Sequence, residues 1–182
     1  MRRLVIVPGF GDREWVYRLA IPFWWLRGFK VKVWKFNWRN DDRDFNGRLL
    51  RLLGYINSID GMVYVVGVSA GGTVAANVLF MAPNVHRAVA ICSPIGATNL
   101  RRGMLLDLSL ENLHNVLRRA DIGDRSRLLS LLSRHDTVVA AENTKVSNVP
   151  RREIPGATHA RSIARALTIG AGPIAAWLKA GK

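Results

Sequence analysis

A chain of 182 residues with 49% hydrophobic content can bury one sizeable core but not comfortably two, so we expect a single domain over residues 1–182. The same composition excludes disordered and fibrous proteins. The formal net charge of +14, from 27 Lys and Arg against 13 Asp and Glu, permits weak attraction to an anionic membrane or to polyanions. Because the basic residues are scattered and match no specific nucleic-acid motif, a basic solvated surface is the simpler explanation.

The cysteine count and the apolar segments bear on cellular location. Cys92 is the single cysteine, and its apolar neighbours indicate a buried strand position with a free thiol, which favours a reducing, cytoplasmic compartment. The apolar run at residues 4–7 stops at Pro8 and is too short for an export signal. Residues 61–85 carry no charged side chain and are numerous enough to span a membrane. The four glycines in the first half of that segment favour a strand, a turn and a helix instead.

Six segments are predicted to be strands, at residues 4–7, 29–38, 62–68, 85–92, 128–132 and 152–154. Helical spacing predicts a first helix from Asp12, as its N-cap, to residue 26, bent near Pro22. Further helices are predicted at 45–56, at 73–81, within 94–125, at 140–145 and at 162–179, the last interrupted at Pro173. This alternation predicts an α/β fold, a three-layer αβα sandwich whose mostly parallel sheet of about six strands is covered by helices on both faces.

The strongest motif is the pentapeptide with Gly67, Ser69 and Gly71, which matches G-x-S-x-G between an apolar strand and an apolar helix. In such a turn the serine is held in a strained backbone conformation, and the glycines remove Cβ atoms that would collide. The alternative is a glycine-rich turn used only for packing. Phosphate binding is disfavoured, because neither of the glycine-rich phosphate motifs is present. The pattern therefore predicts that Ser69 is a nucleophile.

With this motif the sequence resembles the α/β-hydrolase superfamily, and in particular the minimal lipases and esterases without a large cap domain. The resemblance covers nearly the whole chain and implies a nucleophilic serine, a later acid and a final histidine, in that order. Asp136 follows the strand at 128–132 in a segment similar to the family's G-x-x-D pattern, with Ser133 where glycine is common. His159 ends a segment similar to the family's G-x-x-H pattern. The implied catalytic triad is Ser69, His159 and Asp136.

Other ionisable residues fit these roles less well. Asp121 and Asp124 are reserve candidates for the acid, and Asp136 itself has the alternative of being a plain loop or capping residue. Among the remaining histidines, His86 begins a strand, His114 lies in the helical insertion and His135 adjoins the predicted acid. Each of these histidines is more simply explained as a structural or surface residue.

The resemblance also implies an oxyanion hole formed by two backbone amides. One is the amide of Ala70, directly after the nucleophile, and the other is the amide of Phe10. The segment from Pro8 to Gly11 is similar to the family's H-G-x-G motif with proline in place of histidine. A simple Pro-Gly turn is the alternative explanation of that segment. Chemistry of this kind requires neither a metal nor an organic cofactor.

By resemblance, the expected activity is hydrolysis of a small-molecule carboxylic ester or thioester through an acyl-serine intermediate. An amidase, a peptidase or an acyltransferase would use the same residues. The alternative from another class is a catalytically idle α/β-hydrolase-fold protein that binds nucleic acid or a protein partner through its basic surface.

Two segments are expected to shape the substrate site. Residues 94–125 form the only notable insertion and are predicted to be a small helical cap or lid. Trp15, Trp24 and Trp25 follow the predicted oxyanion loop. They either line an acyl pocket, face a membrane or belong to the core.

Overall fold

The computed structural model describes residues 1–11, 14–38, 44–97, 103–156 and 158–180. Within these residues six parallel strands form one sheet in the order β2-β1-β3-β4-β5-β6. The strands are β1 (Arg2–Val7), β2 (Phe29–Val33), β3 (Val63–Val68), β4 (Val85–Ile91), β5 (Leu128–Leu132) and β6 (Arg151–Glu153). The predicted parallel sheet of about six strands is confirmed.

Helices cover the sheet on both faces. They are α1 (Glu14–Arg18), α2 (Ile21–Trp25), α3 (Phe45–Asn57), α4 (Ala70–Met81), α5 (Met104–Arg119), α6 (Ile122–Arg125), α7 (His159–Leu167) and α8 (Ala171–Lys179), with a 3₁₀ helix at Ala141–Thr144. Successive strand residues enter opposite cores, because strand side chains alternate between the two faces. Val5 packs with α3, α4 and α5, whereas Leu4 and Ile6 pack with α2, α7 and α8. The three-layer αβα sandwich is therefore confirmed.

The uncharged segment at residues 61–85 folds as the sequence predicts, into a strand, a turn and a helix. All six residues of β3 are buried, and α4 buries every residue from Ala70 to Leu79. This complete burial explains the lack of charge, because a strand and a helix in the middle of the sandwich have no solvent-facing side. Among the described helices, none has the length and apolar character needed to cross a bilayer.

The strand predicted at residues 29–38 is shorter than expected. Pairing with β1 ends at Trp34, whose amide donates a 2.8 Å hydrogen bond to the Ile6 carbonyl. Beyond it, Asn37 adopts a left-handed conformation with a φ of 61°, which an extended strand does not accommodate. The chain turns there, so that Phe36 and Trp38 pack into the core beside α3.

The helices predicted at 12–26 and 162–179 are each two helices. The first consists of α1 and α2, and its predicted N-cap, Asp12, lies outside the described residues. The second divides between Thr168 and Gly170, where the Gly170 amide bonds to the Arg165 carbonyl and closes the end of α7. Pro173 is not the interruption, because it lies in the first turn of α8, where a helix needs no amide hydrogen from it.

The described part of the predicted insertion at 94–125 is mainly α5, which packs along α4. The Thr73 hydroxyl of α4 lies 2.6 Å from the Ser109 hydroxyl of α5, and the Asn77 amide donates to the Ser109 carbonyl at 2.9 Å. These buried polar contacts fix the two helices against each other. The role of residues 94–125 as a cap or lid stays a prediction.

Candidate active site

Ser69 lies on the turn between β3 and α4 in a conformation that few non-glycine residues adopt. Its φ is 52° and its ψ is −127°. The flanking glycines are required by contact with backbone atoms. A Cβ on Gly67 would lie 2.1 Å from the Gly71 carbonyl oxygen, and one on Gly71 would lie 2.2 Å from that of Val7. Such strain persists only where the surrounding packing enforces it, and it is found chiefly at functional sites.

The loop after β1 passes directly over Ser69. A Cβ on Gly9 would lie 2.9 Å from the Ser69 Cβ, so only glycine allows this approach. Trp38 holds the loop in place, because its indole nitrogen donates a 3.0 Å hydrogen bond to the Pro8 carbonyl. The same indole packs edge-on against the Phe10 ring, with centroids 5.3 Å apart. The sequence analysis missed this role of Trp38, which depends on a contact 30 residues away along the chain.

The two predicted oxyanion donors lie beside Ser69. Ala70 is the first residue of α4, where an amide has no carbonyl one turn back in the helix to bond. Phe10, Ser69 and Ala70 together line a cavity of about 250 Å³. The positive end of the α4 dipole also lies at this point, which favours a developing negative charge there.

Asp136 and His159 form a close pair at the end of the sheet. The His159 Nδ1 lies 2.7 Å from the Asp136 Oδ2, and the Asp136 side chain is only 2% exposed. The second carboxylate oxygen accepts hydrogen bonds from the amides of Val138 and Val139, at 2.8 and 2.9 Å. The sequence placed these two residues 23 positions apart, and the fold brings them into contact.

The charged form of Asp136 is favoured in spite of its burial. Burial alone raises the pKa of the carboxyl, but the hydrogen bonds from the Val139 amide, His159 and the Val138 amide outweigh it and hold the pKa below its usual 3.8. A lowered carboxyl pKa stabilises the fold above the unfolded-state pKa, and this contribution is lost as the pH falls through the lowered value. The pair is therefore intact at neutral pH.

The loops that carry Asp136 and His159 are tied together. Ser133 is buried, and its hydroxyl donates to the Gly156 carbonyl at 3.2 Å, while its own carbonyl accepts from the Asp136 amide. The serine that departs from the family's glycine therefore joins the two loops. Thr158 caps α7 by accepting a hydrogen bond from the Arg161 amide, which places His159 in the first turn of that helix.

Cys92 lies behind this pair, an arrangement that the sequence analysis missed. It is fully buried as expected, but it follows β4 with a φ of 49° instead of lying within the strand. Burial, and then the charge and hydrogen bond of Asp136, raise the pKa of the Cys92 thiol well above its usual range, so the thiol is protonated. The donor atoms of Cys92, Asp136 and His159 lie within 4.8 Å of one another. A metal would need a thiolate and would displace the 2.7 Å hydrogen bond, so this donor set suits an acid–base pair better than an ion.

Ser69 and His159 line one open cavity of about 480 Å³. It is lined mainly by residues of α1, of the segment just after α1 and of α7, together with Gly9 and Phe10 of the loop after β1. The two side chains, both in the described part of the chain, share this cavity without a direct hydrogen bond between them. The structure thus brings Ser69, Phe10 and His159 to one cavity and joins Asp136 to it through His159.

The reserve aspartates have structural contacts of their own. Asp121 is the N-cap of α6 and accepts a 2.7 Å hydrogen bond from the Asp124 amide. The Asp124 carboxylate lies 3.0 Å from the Arg127 guanidinium. Both lie at the start of β5, at the opposite end of that strand from Asp136.

The other three histidines are also accounted for outside the site. His86 packs edge-on against Tyr64, with ring centroids 5.6 Å apart. His114 lies in α5, where burial and then the Arg118 charge lower the pKa of its imidazole. His135 is exposed in the loop next to the acid.

The three tryptophans treated together in the sequence analysis divide into two groups. Trp24 is fully buried in the core beneath α2. Trp15 and Trp25 are 65% and 60% exposed. None of the three lines the cavities beside Ser69, to which Val16 and Tyr17 of α1 and Leu19 just after it contribute.

Known proteins resemble this chain in structure. No protein-family model matches the sequence, and no curated protein matches it. The esterase domain of a Rhodothermus marinus protein superposes with a TM-score of 0.68 at 16% identity, over 97% of this chain and 85% of that one. A monoacylglycerol lipase of Paleococcus ferrophilus gives 0.67 at 16%, over 97% and 93%.

An α/β-hydrolase enzyme from the metagenome of Moroccan lagoon sediments gives a TM-score of 0.66 at 17% identity, over 98% of this chain and 90% of that one. Likeness at such identities establishes the fold and not the activity. The chain has the α/β-hydrolase fold, as its sequence predicts.

Proposed function

We propose that this protein is a serine hydrolase that cleaves a carboxylic ester or thioester through an acyl-Ser69 intermediate. The observation that carries the proposal is the backbone of Ser69, a non-glycine residue held at a φ of 52° beside the cavity that His159 lines. Packing alone gives no reason for a serine at a strained position, since a glycine would adopt the same conformation at lower cost. A nucleophile that must be presented to a substrate supplies that reason.

In the proposed reaction, the Ser69 oxygen attacks the carbonyl carbon while its proton passes to His159 Nε2. Asp136 holds the hydrogen on Nδ1, which leaves Nε2 as the acceptor, and it stabilises the imidazolium that forms. The tetrahedral oxyanion accepts hydrogen bonds from the amides of Phe10 and Ala70, each worth about 3 to 4 kcal/mol.

Collapse of the tetrahedral intermediate breaks the bond to the leaving oxygen or sulfur, which takes the proton from His159. A water molecule then gives a proton to His159 and attacks the acyl carbon, and the second tetrahedral intermediate releases the acid and restores Ser69. Every proton transfer in this sequence uses His159. The Asp136 carboxylate accepts no proton at any step.

The structural relatives favour this reaction class. Their names describe one as an esterase domain and another as a monoacylglycerol lipase. At 16% identity this is support by analogy, and it agrees with the site chemistry derived from the residues themselves. We therefore expect small-molecule esters as substrates.

A fluorophosphonate probe tests the proposal, because it phosphonylates an activated serine and releases fluoride. We expect the wild-type protein to be labelled at Ser69, which mass spectrometry of peptides would identify. Ser69→Ala should abolish labelling and ester hydrolysis, whereas the control Ser58→Ala, an exposed serine that caps the end of α3, should leave both unchanged.

If the chain is instead a catalytically idle binding protein, we expect no labelling of Ser69 by the probe. A wild-type chain that resists the probe, or a Ser69→Ala variant that is labelled equally well, would contradict a hydrolase. Retention on a polyanion that salt weakens steeply would then favour binding through the basic surface.

A further inference from the structure

Two cavities meet at Ser69. The larger, of about 480 Å³, extends between α1 and α7, and the smaller, of about 250 Å³, extends towards Pro94 and Leu106. Phe10 and Val138 line both and therefore form the partition between them. A substrate bound at Ser69 can thus send its two halves into two separate spaces.

Both cavities are apolar. The larger is lined by Leu19, just after α1, and by Ile163 and Leu167 of α7. The smaller is lined by Leu106 and Val139. Among the described residues, no Lys, Arg, Asp or Glu lines either cavity. The described lining therefore favours uncharged, apolar groups on both sides of the scissile bond.

The position of His159 decides which half of the substrate enters which cavity. The leaving oxygen or sulfur must receive a proton from His159, so it lies on the side of that imidazole. His159 lines the larger cavity but not the smaller, whereas Ala70 lines the smaller but not the larger. At a tetrahedral carbon the acyl chain points away from the leaving group, and hence towards the smaller cavity.

Resting on the proposed function, we propose that the larger cavity binds a bulky apolar alcohol or thiol and the smaller cavity a short acyl chain. The enzyme would then prefer short-chain acyl esters of large lipophilic alcohols over long-chain acyl esters of small alcohols. The two cavities differ about twofold in volume, which sets the direction of the preference.

Two ester series measure the preference. One varies the alcohol of an acetate ester from methyl to decyl, and the other varies the acyl chain of a methyl ester from acetyl to decanoyl. We expect kcat/KM to rise about fourfold for each methylene added to the alcohol, and to stop rising several methylenes earlier in the acyl series. The reverse order would overturn the assignment.

Ala164→Trp fills the larger cavity from an exposed position on α7. We expect it to lower the ratio of kcat/KM for decyl acetate to that for ethyl acetate at least tenfold. The matched control is Ala176→Trp, an exposed alanine of α8 that does not line the cavity, and it should leave the ratio unchanged. A loss confined to long acyl chains in Ala164→Trp would contradict the proposal.

Leu106→Ala enlarges the smaller cavity, and we expect it to move the acyl optimum to longer chains without changing the alcohol preference. Its control is Leu110→Ala, one turn later on α5, buried but outside the cavity. Leu106→Val gives the same test in milder form if the alanine variant does not fold. An alcohol preference that moves instead would overturn the assignment.

Failure of this proposal is separable from failure of the proposed function. If Ser69 is labelled by a fluorophosphonate and Ser69→Ala is inactive, the hydrolase stands, and the two ester series alone decide how the cavities are used. If no ester is cleaved and no label is incorporated, both proposals are wrong.

Discussion

Two neighbouring strands end in opposite kinds of structure. After β3, most of the turn at Ser69 and nearly all of α4 are buried. A Cβ atom added to Gly67 or to Gly71 would collide with backbone atoms. After β1, the helix α1 buries no residue, and Trp15 and Leu19 are each 65% exposed. Both segments border the same cavity.

Under the proposed function, the contrast separates the nucleophile from the side chains that would select its substrate. The strain at Ser69 persists because the packing around it allows no alternative. The α1 wall has few contacts to lose, so its side chains can change without loss of the fold. Under the proposed function, substitutions in α1 can therefore change which ester is cleaved while the reaction at Ser69 stays the same.

The largest effect is expected at Asp136, the proposed acid of the site. Asp136→Asn should lower kcat by about 10⁴ while the protein stays folded, because an asparagine amide favours the wrong tautomer of His159. Ester hydrolysis by the purified variant measures the loss. The control Asp124→Asn, in the Arg127 pair, should retain wild-type kcat. Full activity of Asp136→Asn would require another acid.

A smaller but still large effect is expected on stability at the nucleophile turn. Gly71→Ala should lower the free energy of unfolding by about 3 kcal/mol, since the atoms that its Cβ meets are the carbonyls of Val7 and Pro8, which cannot move aside. Gly54→Ala, at an open helical site in α3, should raise it by about 1 kcal/mol. Urea denaturation measures the free energy of unfolding of both variants. Equal values would show that the turn at Ser69 accepts a Cβ atom as readily as the open site in α3 does.

The smallest effect is expected on the solvent-exposed side of α1. Trp15→Ala should change the free energy of unfolding by no more than about 0.5 kcal/mol, because the side chain is mostly in solvent. Trp24→Ala, the matched change at a fully buried tryptophan, should cost about 3 to 5 kcal/mol. A comparable loss at Trp15 would show that α1 is held as firmly as the nucleophile turn.

Local patterns predicted the sheet, and they pointed to candidate residues that the fold brings to one edge of it. The G-x-S-x-G turn and the loop with Asp136 each follow a strand whose apolar run is evident in the sequence, whereas the segment ending at His159 follows the charged strand β6. Parallel strands bring their carboxyl ends to one edge, so the prediction that these residues converge required only the fold. The contact between Asp136 and His159 agrees with it.

Features that depend on long-range packing could not be predicted. The hydrogen bond from Trp38 to Pro8 requires the chain to turn at Asn37, a conformation that no apolar pattern encodes. The position of Cys92 behind Asp136 requires β4 and β5 to be neighbours, which is a property of strand order and not of local sequence. The break at Thr168 was missed because apolar spacing continues through it.

The single thiol of the chain can also serve as a probe of local opening around the site. Cys92 is fully buried behind the Asp136 and His159 pair. Its burial and the raised pKa of its thiol make it unreactive in the folded structure. A thiol reagent can therefore reach it only when the surrounding loops separate. The rate at which the reagent modifies Cys92 therefore reports how often these loops open. A ligand that stabilises the site lowers that rate.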